Sequence, residues 1–316
     1  MDKRRIGAVT IQQGHAGARM SPWLEPPHST GMTMSRVWLL ALLVLVSPVN
    51  RAAERWQLLP AVPAPITMAR HGHVETQGAR LYYAITGKGS PVLLLHGGLS
   101  SSDDWGNQIG ALSAHHTVIV MDSRGQGRST HDARPFSYDL MADDVVALLD
   151  ALQLGKVDVV GWSDGANIGL DLAMRHPARI GKLFAFGANA SVSGMAGETE
   201  TNPIVPQLME RMGANYARLS PTPKAFEALA AQMSTMWSTE PNWSDAQLKT
   251  IKSPVWIVDG DHEEFIKPEH TAHIAAVIPA AGLMILPNVS HFAPLQAPAL
   301  FNAAVLQFLD GESPAH

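Results

Sequence analysis

Short apolar runs alternate with amphipathic stretches from about residue 70 to the end of the chain. Residues 73–86, with a turn at Gln77-Gly78, show the pattern of a two-stranded hairpin. Continuous apolar runs bounded by turn residues follow, as is typical of strands buried on both faces of a sheet. These runs are residues 91–95, 117–121, 157–160, 183–186, 255–258 and 283–286. Together with the hairpin they predict a sheet of about eight strands.

Segments of helical periodicity lie between these runs. Ser137 can cap a helix that continues to about Leu152, and a second helix over 166–176 ends before Pro177. Residues 299–309 predict a terminal amphipathic helix. Strands that alternate with helices form βαβ units, so the sequence predicts the α/β class, with a mostly parallel sheet and helices on both faces.

One interval interrupts this alternation. Residues 191–247 contain no strand signal and instead hold helical patches rich in Met and Trp. We interpret this interval as a small helical cap inserted into a core of residues 66–190 and 248–312. Its large apolar side chains either form the cap's own core or provide an adaptable wall over a substrate. The candidates for such a wall are Met209, Met236 and Trp237.

Residues 1–55 are predicted to be an N-terminal extension outside the folded core. Within it, residues 37–46 read VWLLALLVLV, a run that is too short to span a bilayer of about 30 Å. Such a run is typical of the apolar region of a signal peptide, with Ala52 and Ala53 as the small residues near a cleavage site. We therefore expect export to the periplasm or the medium. The alternative is anchoring by the same segment, and no other stable membrane span is predicted.

Composition narrows the function further. The 316 residues include 23 basic and 28 acidic side chains, for a formal net charge of −5, and the basic ones are scattered, so no nucleic-acid partner is predicted. The absence of cysteine excludes disulfides, a thiol nucleophile and a Cys-based zinc site. His270 and His273 are spaced i, i+3, but the sequence offers no evident third ligand. No metal or other cofactor is predicted.

The strongest chemical signal is Gly161-Trp162-Ser163-Asp164-Gly165. It follows the predicted strand 157–160 and precedes a predicted helix. In that context G-x-S-x-G forms a nucleophile elbow, in which the serine occupies a strained turn and its hydroxyl is exposed above the carboxyl end of the sheet. The helix N-terminus favours negative charge that develops on a bound carbonyl oxygen. Ser163 is therefore the predicted nucleophile.

A serine hydroxyl needs a base, and in this architecture the chain order is serine, acid, histidine. His291 lies just past the last predicted strand, where a loop can return over Ser163. A carboxylate that follows the strand ending near residue 258 can orient the imidazole. Position alone leaves four candidate carboxylates: Asp259, Asp261, Glu263 and Glu264. Only one of them can be the acid, and the other three are expected to be solvated loop residues.

A glycine-rich loop, Leu95-His96-Gly97-Gly98-Leu99, follows an earlier buried strand. Glycines let backbone N–H groups turn toward a bound carbonyl oxygen. One such donor, together with the N–H of Asp164, would form an oxyanion hole. We expect His96 to hold this loop by hydrogen bonds and not to act as a base.

These motifs resemble the α/β-hydrolase superfamily in order and spacing over residues 70–310. The resemblance rests on LLHGG at 94–98, DSRGQGRS at 122–129, the elbow, and the loops that contain Gly260 and His291. The elbow and FGANA at 186–190 are most similar to esterases related to valacyclovir hydrolase, the biphenyl-hydrolase-like group.

The resemblance implies specific roles for several residues. Family members usually carry the acid as Asp three positions after the glycine equivalent to Gly260. That position is Glu263 here, a departure from the pattern that favours Glu263 as the acid and keeps Asp261 as the alternative. The family's oxyanion donors correspond to the backbone N–H groups of Gly98 and Asp164. No cofactor is implied.

The motifs and the resemblance together predict a carboxylesterase-like serine hydrolase that cleaves a small-molecule ester through an acyl-enzyme intermediate. Leu99, Trp162 and Asp164 join the cap residues as candidate substrate contacts. The Asp164 carboxylate would pair with a substrate ammonium, or would only complement the helix dipole. The alternatives on the same fold are a cofactor-free perhydrolase, a lactonase, a C–C hydrolase, or a catalytically weak ligand-binding homologue.

Overall fold

Eight strands form one sheet in the order β1-β2-β4-β3-β5-β6-β7-β8. The computed structural model describes residues 54–197, 202, 204–279 and 281–311. The strands are β1 (Arg70–Thr76), β2 (Ala79–Gly87), β3 (Ser90–Leu95), β4 (His116–Met121), β5 (Val157–Trp162), β6 (Ile180–Phe186), β7 (Val255–Gly260) and β8 (Ala281–Leu286). Strand β2 pairs antiparallel with β1 and β4, and all the other pairs are parallel. The predicted α/β class and mostly parallel sheet are confirmed.

Helices connect the parallel strands. The α-helices are α1 (Gly106–Leu112), α2 (Tyr138–Ala151), α3 (Asp164–Arg175), α4 (Ile204–Leu219), α5 (Phe226–Trp237), α6 (Asp245–Leu248), α7 (Pro268–Val277), α8 (Ala293–Gln296) and α9 (Pro298–Asp310). The Ser137 side chain accepts the Leu140 N–H, so the predicted cap of α2 is confirmed. Within the described ranges no helix is long and apolar enough to cross a bilayer. The predicted signal segment at 37–46 lies outside the described residues.

The sheet separates two hydrophobic layers because its central strands present alternate side chains to opposite faces. In β3, Leu93 and Leu95 belong to a cluster that also contains the apolar stripes of α2 and α3. Leu94, between them, belongs to a second cluster with side chains of α1 and α9, such as Ile109 and Phe301. Burial on both faces explains why these strands read as unbroken apolar runs.

The segment predicted as a cap, residues 191–247, holds α4 and α5. Short backbone bridges fasten its beginning, between Ser191 and Asn242 and between Met195 and Ile266. Met233 and Met236 of α5 are buried and belong to the same cluster as the stripe of α2. The side chains of α5 therefore pack on the α2–α3 side of the core.

Residues 54–65, which we call the N-terminal strap, precede the first strand and pack against the C-terminal part of the chain. The Gln296 side-chain N–H₂ donates to the carbonyls of Trp56 and Leu58, at 3.2 and 2.8 Å. The same amide group contacts Ser290 twice, accepting from its N–H at 2.8 Å and donating to its Oγ at 3.0 Å. Because Ser290 immediately precedes His291, the strap supports the loop of the predicted base.

Helix α3 approaches the end of β3 too closely for any side chain at Gly165. A Cβ atom there would lie 2.0 Å from the Leu95 carbonyl oxygen and 2.9 Å from that of His96. Both contacts are with backbone, which cannot move aside without disturbing the sheet. We predict that Gly165→Ala lowers the free energy of unfolding by about 3 kcal/mol or more.

The control for that substitution is Gly110→Ala in α1, where a new Cβ would meet no atom within 4 Å. An alanine in a helix gains about 0.5–1 kcal/mol over glycine, so this variant should be as stable as the parent or more stable. Urea unfolding of the full chain measures both values. Equal stability of the two variants would contradict the packing argument.

Candidate active site

Ser163 occupies the turn between β5 and α3 in a conformation that side chains rarely adopt. Its φ is 55° and its ψ is −120°, and such strain persists only where the surroundings enforce it. The Ser163 N–H donates to the Phe186 carbonyl of the neighbouring strand at 2.8 Å. On its other side, Gly97 lies so near that a Cβ there would be 3.3 Å from the Ser163 Cβ. The turn thus fixes the hydroxyl-bearing carbon at the carboxyl edge of the sheet, next to the glycine-rich loop.

His291 lies at the same edge, against the ends of β5 and β6. A Cβ on Gly187, which follows Phe186, would lie 2.7 Å from His291 Cε1, so the imidazole needs a glycine beneath it. The Trp162 indole N–H donates to the His291 carbonyl at 2.8 Å and so holds the histidine loop in place. The Ser163 N–H is hydrogen-bonded to Phe186, and the imidazole packs against the next residue, Gly187. The structure therefore brings the predicted nucleophile and base to neighbouring positions.

Glu263, and not Asp261, contacts the histidine. Both Glu263 carboxylate oxygens lie within hydrogen-bond distance of His291 Nδ1, at 2.8 and 2.9 Å. The Phe265 and Ile266 N–H groups donate to Glu263 Oε1 at 2.8 and 3.2 Å and hold the carboxylate in place. Asp261 is exposed and instead accepts the Val289 N–H at 3.2 Å. Of the two carboxylates that the sequence left as alternatives, the one hydrogen-bonded to His291 is therefore that of Glu263.

Burial dominates the electrostatics of this pair. It lowers the pKa of His291 below its ordinary value, so the imidazole is held neutral. It also raises the pKa of Glu263 to about 7, against hydrogen bonds that favour the ionised carboxylate. A base that is neutral near pH 7 matches the requirement of general base catalysis.

Two further carboxyl groups at this edge are not solvated as expected, because one is buried and the other is half-buried and hydrogen-bonded. Asp259, at the end of β7, is 2% exposed. Glu264 accepts the His291 N–H through Oε2 at 2.9 Å. Neither residue belongs to a periodic pattern, because both lie in or beside a loop where burial depends on the fold around it.

The glycine-rich loop is held as predicted by His96. Its Nε2 accepts the Ser123 N–H at 2.9 Å, which leaves Nδ1 to donate to the Gly97 carbonyl at 2.7 Å. Gly98 lies beside α3, and a Cβ there would be 2.5 Å from Asp164 Oδ2. Asp164 is the first residue of α3, where N–H groups lack partners within the helix. The two predicted oxyanion donors thus belong to adjacent segments beside Ser163.

The Asp164 side chain is already engaged within the protein. The Tyr138 hydroxyl donates to Oδ1 at 2.7 Å, and the Trp237 indole N–H lies 3.1 and 3.0 Å from the two carboxylate oxygens. Asn167 donates to the Tyr138 oxygen at 3.0 Å and extends the network into α3. Burial raises the pKa of Asp164 despite these donors. The carboxylate therefore connects cap helix α5 with the elbow, a role that the sequence did not reveal.

The other predicted substrate contacts differ in their surroundings. Trp162 is 4% exposed and packs edge-on against Trp105 and Phe292, so it supports the histidine loop from within the core. Leu99 and Met236 are also buried in the core. Met209 is only partly buried and packs on the same cluster, while Trp237 covers Gly98, with its Cζ2 2.4 Å from a Cβ position there.

The two histidines considered for a metal are used otherwise. His270 Nε2 accepts the Ala190 N–H at 3.1 Å, and His273 pairs with Asp245 at 2.8 Å. Within the part of the chain that the structure describes, no group of three or more histidine, aspartate or glutamate side chains is arranged to hold a metal ion.

Comparisons with known proteins agree with this architecture. A family model described as alpha/beta hydrolase fold matches residues 90–242. The chain is 30% identical over 250 residues to a protein of Caulobacter sp. (strain K31) named as a carbamate hydrolase, RutD, covering 70% of this chain and 91% of that protein. It is 29% identical over 264 residues to the human serine hydrolase BPHL, covering 77% and 87%. The solved structure of Est816, described as an N-acyl homoserine lactone degrading enzyme, matches with a TM-score of 0.60 at 28% identity, covering 75% and 100%.

The contribution of the Trp237–Asp164 hydrogen bond to folding can be tested by measuring the free energy of unfolding. Trp237→Phe keeps the aromatic ring but removes the N–H, so the buried Asp164 carboxylate keeps only the Tyr138 donor. Loss of a hydrogen bond to a buried charged group should lower the free energy of unfolding by about 1–3 kcal/mol.

Trp243→Phe is the matched control, because the Trp243 ring lies 5.8 Å from the Tyr138 ring without bonding Asp164. The double variant Trp237→Phe with Asp164→Asn completes a thermodynamic cycle. Urea unfolding measures all of them. If the two tryptophan variants lose the same stability and the cycle shows no coupling, the contact contributes nothing specific.

Proposed function

The chain belongs to the α/β-hydrolase family and is a hydrolase of that fold; from this premise we propose that it is a serine hydrolase that cleaves small carboxylic esters through an acyl-enzyme intermediate. The observation that carries the proposal is the hydrogen bond between Glu263 and His291 Nδ1, at 2.8 Å, with the imidazole beside the strained Ser163 turn. The three residues follow the chain order of α/β-hydrolases, which is serine, acid, histidine, and they lie at the edge of the sheet where that fold carries its triad.

In the proposed reaction, His291 Nε2 takes the proton of the Ser163 hydroxyl while the oxygen attacks the ester carbonyl carbon. Glu263 holds Nδ1–H, which leaves Nε2 free to accept, and it stabilises the imidazolium that forms. The Gly98 and Asp164 N–H groups donate to the oxyanion, and each such donor contributes about 10²–10³ in rate. His291 then returns the proton to the leaving alcohol, and a water molecule hydrolyses the acyl-enzyme by the same sequence of steps.

The similarities support an ester without naming one. BPHL is named as a serine hydrolase. Est816 is described as degrading a lactone, and a lactone is a cyclic ester whose opening needs the same serine, histidine and oxyanion donors. Cyclic esters are therefore the second substrate class that we propose to test, and carbamates are a third on account of RutD.

Turnover of p-nitrophenyl acetate and butyrate by the full chain tests the proposal. Ser163→Ala should abolish hydrolysis because the nucleophile is lost. Glu263→Gln should lower kcat by about 10²-fold or more because an amide cannot stabilise the imidazolium.

The matched control is Asp261→Asn, an exposed carboxylate in the same loop, which should remain within about threefold of the parent. An N-acyl homoserine lactone and a carbamate ester extend the substrate panel. If the parent hydrolyses none of these substrates faster than Ser163→Ala does, the proposed hydrolase reaction is wrong for these classes.

The pH profile is a second test. The active form has Glu263 ionised and His291 neutral. Burial raises the pKa of Glu263 to about 7 and lowers the pKa of His291, so kcat/KM should rise with pH through about 7 and fall away below it. The residual rate of Glu263→Gln should lack this step and fall only at lower pH, where His291 is protonated. A parent profile that is flat down to about pH 5 would contradict the assignment.

A further inference from the structure

The carboxyl group of Asp259 lies next to the Glu263–His291 pair, and no step of the proposed ester hydrolysis uses it. It is at the end of β7 and 2% exposed. The Thr271 hydroxyl of α7 donates to Oδ2 at 2.7 Å, and the Gly260 N–H donates to Oδ1 at 3.1 Å. The Asp259 carboxyl group is also hydrogen-bonded to that of Glu263.

Two carboxyl groups can form a hydrogen bond only if one of them carries a proton, because an ionised carboxylate has no donor. The surroundings decide which of the two is neutral. Glu263 accepts two backbone N–H groups and His291 Nδ1–H, all of which favour its ionised form. Asp259 has a hydroxyl and the N–H of its own neighbour. The proton therefore belongs on Asp259, and the charge belongs on Glu263.

The groups that face this pair are consistent with that assignment. Glu263, His291 and the Thr271 hydroxyl of α7 face Asp259, and Glu264 faces Glu263. Burial, followed by the neighbouring Glu263, raises the pKa of Asp259 well above its usual range. The hydrogen bond from Asp259 lowers the pKa of Glu263 and so opposes the effect of burial on this carboxyl group.

We propose that Asp259 is a positioning residue of the site: its buried, neutral carboxyl group donates a hydrogen bond to Glu263 and holds that carboxylate ionised and aligned with His291 Nδ1–H. This inference rests on the proposed function for its catalytic consequence. The alignment itself is a structural property that can be measured without turnover.

Three variants separate the donor from the charge. Asp259→Asn keeps a neutral group of the same shape whose N–H₂ can donate to Glu263. Asp259→Ala removes the donor. Thr271→Val leaves both carboxyl groups in place and removes only the hydroxyl that holds Asp259. Thermal unfolding of each full-length variant establishes that it is folded.

For ester hydrolysis, Asp259→Asn should stay within about threefold of the parent kcat, with an unchanged pH profile. Asp259→Ala should lose about 10-fold to 100-fold in kcat with KM changed by less than about twofold, since Glu263 no longer stays aligned. Its acid limb should move up by about one pH unit, because Glu263 has lost the donor that favours its ionised form. Thr271→Val should fall between these two variants.

Proton NMR of the His291 Nδ1–H provides the readout that does not need turnover. Its strongly hydrogen-bonded, downfield resonance should be present in the parent and in Asp259→Asn, and lost or shifted upfield in Asp259→Ala. Labelling of Ser163 by a fluorophosphonate reports separately on the nucleophile. If the parent is neither labelled nor active while the NMR pattern holds, the proposed function fails and the positioning role stands.

Two outcomes would overturn the proposal itself. Asp259→Asn that loses as much activity and resonance as Asp259→Ala would show that a charge, and not a donor, is needed at this position. Asp259→Ala that matches the parent in kcat, pH profile and resonance would show that Glu263 holds His291 without help.

Discussion

The rest of the site depends on the close contact between helix α3 and the end of strand β3, because Ser163 and the glycine-rich loop both lie next to it. Gly165 has no room for a side chain because the Leu95 carbonyl is in contact with its backbone. Two residues before Gly165, the chain turns sharply at Ser163 with a positive φ. The contact also places the glycine-rich loop, which begins at the end of β3, directly beside the turn. The proposed nucleophile and the two proposed oxyanion donors therefore lie next to the same close contact.

Acidic side chains that are buried or half-buried surround these residues. Asp164 joins the elbow to cap helix α5 through Trp237, while Asp259 and Glu264 surround the contact between Glu263 and His291. Buried carboxyl groups are costly unless they are hydrogen-bonded, and each of these has donors. The site therefore combines an apolar environment, which keeps the histidine neutral, with fixed polar contacts that keep it oriented.

Local pattern made much of this predictable. The central strands read as unbroken apolar runs because they are covered on both faces, and the elbow is specified within five residues. The choice of Glu263 as the predicted acid came from the family resemblance, through its spacing after Gly260. Position along the chain alone left four carboxylates as candidates. The partners of Asp164 were out of reach, because Tyr138 and Trp237 lie 26 and 73 positions away. Burial of Asp259 likewise depends on helix α7, packed against its strand.

The N-terminal strap limits how far the chain can be shortened from its N-terminal side. Gln296 holds the loop before His291 through its hydrogen bonds with Ser290, and it is itself attached to the strap by donating to the carbonyls of Trp56 and Leu58. The predicted cleavage region at Ala52 and Ala53 lies before both acceptors. A cut at that point would keep the strap, whereas a cut beyond Leu58 would remove the carbonyl acceptors of the glutamine. The point at which this chain tolerates trimming is thus governed by a residue about 240 positions later in the sequence.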